Sequence, residues 1–173
     1  IGSMGGDRKE SLGLHEDEIR LIQEVGPVNE KSTVVLIGGN MIMMTEWYDC
    51  VNAVIMAYYP GMEGGTALAE IIYGDVNPSG KLPYVVPYSE DDLPHVDWEA
   101  TDQYYEYYHG YTRLEKNGVK PLIPYGFGLS YTTFEITEPK ASVEGENLKV
   151  TAKVKNTGSM DGDEVVQLYV GFE

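Results

Sequence analysis

The run Tyr59–Pro83 places turn and helix signals in close succession, and it constrains the fold more than any other part of the chain. Proline and glycine end the apolar segment Ala53–Tyr59, and a short helix then follows near 66–73. The turn-forming cluster Asn77–Gly80 comes next, before an apolar segment with strand character, Leu82–Val86. This order of strand, helix and strand predicts a βαβ unit with a short crossover.

Three glycines in this run, Gly61, Gly64 and Gly65, raise the question of a phosphate-binding loop. Their spacing fits neither the dinucleotide-binding pattern nor the P-loop pattern, and Glu63 between them would repel an anion. A buried turn that lets helix and sheet pack closely explains the glycines better. Thr66 is then the expected helix N-cap, and Glu63 a carboxylate that stabilises the helix N-terminus rather than a catalytic group.

The same run resembles the signature of a known family. Its pattern, P-G-x-E-G-G-x-A-x-A-x-x-x-x-G-D-x-N-P-S-G-K-L-P, is similar to the C-terminal α/β domain of family 3 glycoside hydrolases, which include β-glucosidases, β-xylosidases and β-N-acetylglucosaminidases. The segment Pro124–Phe134 resembles the family's linker to a fibronectin type III-like domain. Departures at His15, Glu18 and Asn40 do not threaten the fold that the resemblance implies.

Periodicity in the first half of the chain indicates the α/β class. An amphipathic segment at 15–25, with acidic residues in its first turn, predicts a surface helix packed on a sheet. The buried apolar runs Thr33–Ile37 and Ala53–Tyr58 predict strands of a mainly parallel sheet.

The last part of the chain has strand character. Segments Phe134–Ile136, Leu148–Lys155 and Val165–Val170 read as strands of a β-sandwich. Such a sandwich needs about seven strands over roughly 100 residues, and 134–173 is too short for that. We therefore expect a truncated sandwich whose apolar faces are covered by another chain, for example a second copy, or are partly disordered.

The predicted fold is α/β, a partial α/β sandwich with a mainly parallel sheet followed by a truncated fibronectin III-like β-sandwich. Its expected domains are the sandwich at 1–97, a linker or strap at 98–133 and the fibronectin-like part at 134–173. The strap holds five tyrosines, namely Tyr104, Tyr105, Tyr107, Tyr108 and Tyr111. Aromatic faces can bind sugars, but a strap packed on a neighbouring surface is the favoured interpretation.

Composition excludes several classes of partner. A net charge of −16 argues against nucleic acid and anionic membrane surfaces, while an uncharged glycan remains compatible. The single cysteine, Cys50, is interpreted as a buried structural thiol. His15, His95 and His109 lack the spacing of a metal site, so neither metal nor other cofactor is expected.

The resemblance also implies where the chemistry would lie. Retaining glycosidases need two carboxyl groups about 5–5.5 Å apart, and in this family the nucleophilic Asp lies on a preceding TIM-barrel domain. The acid/base Glu in many relatives belongs to a loop S-G-E-G-x-D-R, whose G-x-D-R matches residues 5–8 here. The Glu position then falls on Met4, which cannot transfer a proton.

Three explanations for Met4 stay open: the Glu is lost, residues 1–4 are a cloning remnant foreign to the protein, or another nearby carboxylate serves. Asp7 and Arg8 are the candidate substrate-binding residues, with a loop-bracing ion pair as the equal alternative. No catalytic residue is assigned.

A chain that begins with Ile inside a loop is expected to be a fragment. The resemblance implies a piece of a family 3 hydrolase whose parent cleaves β-glucosides or related β-glycosides, with a TIM-barrel domain of the parent or of a partner chain beside it. The chain alone is expected to be inactive. The alternatives are a non-catalytic glycan-binding or structural module and, from the βαβ pattern alone, a flavodoxin-like nucleotide binder.

Overall fold

A computed structural model describes residues 11–97 and 100–171. Its helices and strands, in chain order, are α1 (Glu16–Val25), β1 (Thr33–Leu36), β2 (Ala53–Met56), α2 (Gly64–Tyr73), α3 (Gly110–Lys116), β3 (Phe134–Glu144) and β4 (Asn147–Asn156). Short 3-10 helices occur at Gly26–Val28, Tyr48–Cys50 and Glu90–Asp92. None of the helices in these described ranges is long and apolar enough to cross a membrane.

The chain forms two compact units. Among the described residues, the first unit comprises 11–64 together with Pro83–Tyr125, and the second comprises Gly65–Leu82 together with 126–171. The division into domains at 1–97, 98–133 and 134–173 stays a prediction.

The first unit contains the parallel sheet that the apolar runs predict. Strand β1 pairs with β2 in parallel, with Thr33 opposite Ala53 and Leu36 opposite Met56. Each strand ends one or two residues earlier than expected. The α/β class with a parallel sheet followed by antiparallel strands is confirmed.

A small apolar core holds the first unit together. Its buried members are Leu36, Met44, Trp47, Val85, Val86, Leu114 and Ile123.

Val86 and Ile123 also exchange two backbone hydrogen bonds, of 2.9 and 3.1 Å, in an isolated antiparallel bridge. The predicted strand Leu82–Val86 is therefore wrong, and so is the short-crossover βαβ unit built on it. Pro83 and Pro87 lack the N–H groups that a continuous ladder needs.

Helix α1 begins as the acidic segment predicts. The carboxylate of Glu18 accepts a hydrogen bond of 2.9 Å from the backbone N–H of His15, which satisfies one of the free donors at the helix start. Its apolar face is only partly covered, because Leu21 and Val25 are exposed. The predicted surface helix is confirmed, although none of its residues is fully buried. Cys50, expected to be buried, is half-buried.

In the second unit, β3 and β4 form an antiparallel hairpin that runs from the pair Phe134 and Asn156 to the pair Glu144 and Asn147. The register shifts between Thr137 and Lys140, where Pro139 removes a donor. Both predicted strands, Phe134–Ile136 and Leu148–Lys155, lie within this hairpin.

The third predicted C-terminal strand is wrong. Val165–Val170 forms no strand in the part of the chain that the structure describes. The sheet of β3 and β4 has two strands, and the segment 165–170 pairs with neither of them. Apolar side chains of the hairpin remain exposed, among them Val143, Leu148 and Val154. Their covering by another chain stays a prediction.

Candidate functional site

The predicted substrate-binding residues Asp7 and Arg8, and Met4 at the acid/base position, lie outside the described residues. Their roles stay predictions. Glu63 directly precedes α2, where a carboxylate interacts favourably with the helix dipole. The helix begins at Gly64 and not after Thr66, so the predicted N-cap is wrong.

The carboxyl ends of β1 and β2 lie at one edge of the parallel sheet in the first unit. Because the strands are parallel, both end at the same edge, where open α/β sheets usually bind ligands. The N–H of Gly38, after β1, donates a hydrogen bond of 3.2 Å to the carbonyl of Tyr58, after β2. This bond ties the two edge loops together.

Tyr58 and Tyr59 give this edge its shape. Tyr58 has φ of 52°, a left-handed conformation that is costly for an aromatic residue and that occurs often at functional sites. Tyr59 is largely exposed, and a Cβ at Gly39 would lie 2.8 Å from its ring. Gly39 therefore leaves the space that this ring occupies beside the sheet edge.

A pair of buried phenol groups lies behind the edge. The rings of Tyr58 and Tyr84 meet edge to face with centroids 6.4 Å apart. Neither hydroxyl has a hydrogen-bond partner of normal geometry among the described residues, although both oxygens are buried. Burial, together with the nearby Tyr58 hydroxyl, raises the pKa of Tyr84. The Tyr84 phenol therefore stays protonated across the physiological pH range.

Replacing Tyr84 with phenylalanine should stabilise the protein by about 1 kcal/mol, because it removes a buried hydroxyl whose desolvation no hydrogen bond offsets. Tyr131→Phe is the matched control. The Tyr131 hydroxyl donates a hydrogen bond of 2.9 Å to the carbonyl of Ile71, so its loss should destabilise by about 1 kcal/mol. Urea unfolding followed by circular dichroism measures both. Equal destabilisation by the two variants would contradict the assignment.

In the second unit, Asn77 connects the two sequence motifs that resemble the family signature. Its side-chain oxygen accepts hydrogen bonds from the Ser130 hydroxyl at 3.0 Å and from the Tyr131 N–H at 2.6 Å. Its amide nitrogen donates to the Ser79 hydroxyl at 3.1 Å. Asn77 is buried, and these contacts satisfy both of its polar atoms.

Lys81 makes the second connection between the motifs. Its ammonium donates to the carbonyl of Gly128 at 2.8 Å and lies 3.1 Å from a carboxylate oxygen of Glu164. Burial by itself raises the pKa of Glu164, but hydrogen bonds from Lys81 and from the Val165 N–H lower it, and the net pKa lies below its ordinary value. The motif residues Asn77 and Lys81 thus stabilise the second unit and make no catalytic constellation there.

A cavity of about 470 Å³ also opens in the second unit. It is lined by Asp75, Val76, Asn77, Ser159, Met160 and Asp161. Two carboxylates contribute to it, but the described residues contain no group of three side chains suited to hold a metal ion. No ligand and no reaction is assigned to this cavity.

The tyrosines of the predicted strap, residues 104–111, lie in the first unit. Tyr104 and Tyr107 are almost fully exposed, and the ring of Tyr107 meets that of Tyr108 edge to face with centroids 5.1 Å apart. The ammonium of Lys116, in α3, lies 4.2 Å from the centroid of the Tyr108 ring. Periodicity gave no indication of this arrangement, because it depends on a side-chain contact between residues 108 and 116.

Comparison with known proteins identifies the family. Residues 2–131 match the model of the glycosyl hydrolase family 3 C-terminal domain. The chain belongs to glycoside hydrolase family 3.

Relatives of this family 3 chain include enzymes of different sugar specificity. Thermostable β-glucosidase B of Acetivibrio thermocellus is 40% identical over 97% of the chain and 23% of its own length. An exo-α-(1→6)-L-arabinopyranosidase of Bifidobacterium longum is 35% identical over 98% of the chain and 23% of its own length.

A solved structure agrees with these relatives. The crystal structure of a family 3 β-glucosidase from Bifidobacterium adolescentis has a TM-score of 0.82 and 32% identity, and the match covers 92% of this chain and 24% of the solved chain. This family 3 chain therefore spans about a quarter of the length of the proteins that it resembles.

Proposed function

We propose that this family 3 chain is part of a hydrolase that cleaves the O-glycosidic bond of β-glucosides or related β-glycosides. The observation that carries the proposal is the family 3 match over residues 2–131, supported by similarity to proteins named as β-glucosidases. One relative is named as an exo-α-(1→6)-L-arabinopyranosidase, so we propose the class of substrate and not a single glycoside.

The proposed site is shared between this chain and a barrel domain. The family resemblance implies that the barrel supplies the nucleophilic Asp, which attacks the anomeric carbon and forms a glycosyl-enzyme intermediate that water then hydrolyses. This chain would contribute Asp7 and Arg8 as hydrogen-bonding groups for sugar hydroxyls. The exposed ring of Tyr59, at the carboxyl edge of the parallel sheet, is suited to pack against the apolar face of a sugar.

The chain alone should not hydrolyse an aryl β-glucoside such as 4-nitrophenyl β-D-glucoside. It contains no barrel nucleophile, and Met4 stands where the acid/base is expected. Loss of general acid/base catalysis alone lowers the rate by about 10²–10⁴-fold. Release of nitrophenol is measured with the chain alone and with a barrel-containing partner.

The control is a preparation purified to a single band. Turnover that survives this purification and disappears in Asp7→Asn or Glu63→Gln would contradict the expected inactivity. Turnover that appears only when the barrel partner is added supports the shared site.

A second candidate function is a glycan-binding or structural module without catalysis. The exposed rings of Tyr104 and Tyr107 favour it. If no barrel-containing partner restores turnover while the chain still binds a glycan, the binding module is the better assignment.

A further inference from the structure

We propose that Tyr107, held by Tyr108 and Lys116, is the centre of a binding surface for uncharged β-glucan, separate from the site that the resemblance implies at Asp7 and Arg8. These three residues are here named the tyrosine platform. The choice of a glucan as ligand rests on the proposed function. The binding itself requires no catalytic residue.

The platform presents an open aromatic face. The Tyr107 residue is 84% exposed although its ring touches that of Tyr108. The π-face of an aromatic ring is electronegative, and the axial C–H groups on one face of a β-linked glucose ring are electropositive. The two surfaces are therefore complementary in shape and in charge.

The ring is held in place before any ligand arrives. Lys116 lies over Tyr108 in a cation–π contact, and Tyr108 in turn supports Tyr107 from one side. The Nδ1 atom of His109 lies 3.1 Å from the Tyr107 carbonyl, and the hydroxyl of Thr112 donates a hydrogen bond of 2.8 Å to the His109 carbonyl. These contacts anchor the segment to the start of α3. Less conformational entropy is then lost on binding.

Polar groups suited to sugar hydroxyls lie next to the ring in sequence. The carboxylate of Glu106 is mostly exposed and lies 4.0 Å from the guanidinium of Arg113. The Nε–H of Arg113 donates a hydrogen bond of 3.1 Å to the carbonyl of Asp92, so the acceptors come from Glu106 and the donors from the other guanidinium N–H groups. Such groups fix the orientation of a bound sugar.

The same neighbours disfavour a protein partner. The centre of a protein–protein interface is depleted in Lys and Glu, whereas Lys116 lies over Tyr108 and Glu106 directly precedes Tyr107. The chain's net charge of −16 disfavours a polyanionic ligand. An uncharged polysaccharide is neither a protein nor a polyanion, so neither argument applies to it.

The test measures binding of cellohexaose by isothermal titration calorimetry and by chemical-shift mapping of the 173-residue chain. Tyr107→Ala should weaken binding by about fivefold to tenfold, the range expected for the loss of one aromatic contact. Tyr107→Phe should bind like the wild type because it keeps the ring. Tyr73→Ala is the matched control, since Tyr73 is similarly exposed, at 83%, on α2. Polygalacturonate serves as the charged comparison and should not bind.

Each outcome has one meaning. Shifts centred on residues 104–111 that need about fivefold to tenfold more cellohexaose in Tyr107→Ala support the platform. Equal affinity of Tyr107→Ala and wild type, or no binding of cellohexaose, overturns it. Sedimentation of the wild type that depends on concentration, and becomes independent of it in Tyr107→Ala, would show a protein interface and also overturns it. None of these results depends on turnover, so hydrolysis with a barrel partner tests the proposed function separately.

Discussion

Replacing Gly128 with alanine should destabilise the second unit by roughly 3 kcal/mol, the upper end of the usual range for steric overlap in a packed site. A Cβ at Gly128 would overlap the carbonyl oxygen of Gly80 and lie 2.9 Å from the side chain of Lys81. The backbone cannot easily move away, because Leu82 donates a hydrogen bond of 2.8 Å to the Phe127 carbonyl next to it. The overlap must therefore break contacts between the two motifs.

Gly80→Ala is the matched control, since a Cβ there meets nothing within 4 Å. Both variants add one methyl group, and they differ only in the space available to it. Urea unfolding gives the change in stability, and amide hydrogen exchange in β3 and β4 shows whether the loss is confined to the second unit. A Gly128→Ala variant as stable as Gly80→Ala would mean that the close approach of the motifs is not required.

Lys81→Met should cost about 3 kcal/mol at pH 7, because it leaves the carboxylate of Glu164 partly buried without its cation. The side chains of Lys81 and Glu164 are only 13% and 17% exposed, so water cannot replace the lost partner fully. Lys149→Met is the control in the same unit. Lys149 lies 3.0 Å from Glu144, with side chains 57% and 59% exposed, and such surface pairs contribute little.

The pH dependence provides an independent check on this pair. The folded-state pKa of Glu164 is lowered, so the unfolded chain takes up the proton more readily than the folded one. The stability that the pair contributes is therefore fully present above the unfolded pKa of about 4.3 and is lost as the pH falls through the lower folded pKa. The difference in unfolding free energy between wild type and Lys81→Met should shrink below about pH 4. A difference that stays constant from pH 7 to pH 3 would contradict the assignment.

The local residue pattern was sufficient to predict those helices and strands whose formation depends mainly on their own residues. The acidic first turn and apolar spacing of 15–25 predicted α1, and the apolar runs predicted β1 and β2 as parallel strands, although Leu36 is the one buried residue of these two strands. Alternation predicted the strands that became β3 and β4. Two predicted strands, Leu82–Val86 and Val165–Val170, do not form. In the described part of the chain no other segment pairs with them over consecutive residues.

The candidate site was less predictable. The resemblance pointed to Asp7 and Arg8, which the structure leaves untested. The left-handed Tyr58 has no sequence signal, since that conformation normally selects glycine. Clustering of the tyrosines suggested a sugar-binding or packing surface, but the contacts of Lys116 with Tyr108 and of Tyr108 with Tyr107 have no sequence signal.

The sequence by itself determined the family, the α/β class and the position of most elements, because motif spacing and hydrophobic period are local properties of the chain. Only the tertiary structure decided what the signature residues do. Asn77 bonds to Ser130, 53 residues away, and Lys81 to Glu164, 83 residues away. A polar side chain in a turn can meet many partners at such separations, and no periodicity selects one. The partner of each side chain is decided by the packing of the whole unit. Other pairings would leave buried polar groups without hydrogen bonds or would make atoms overlap.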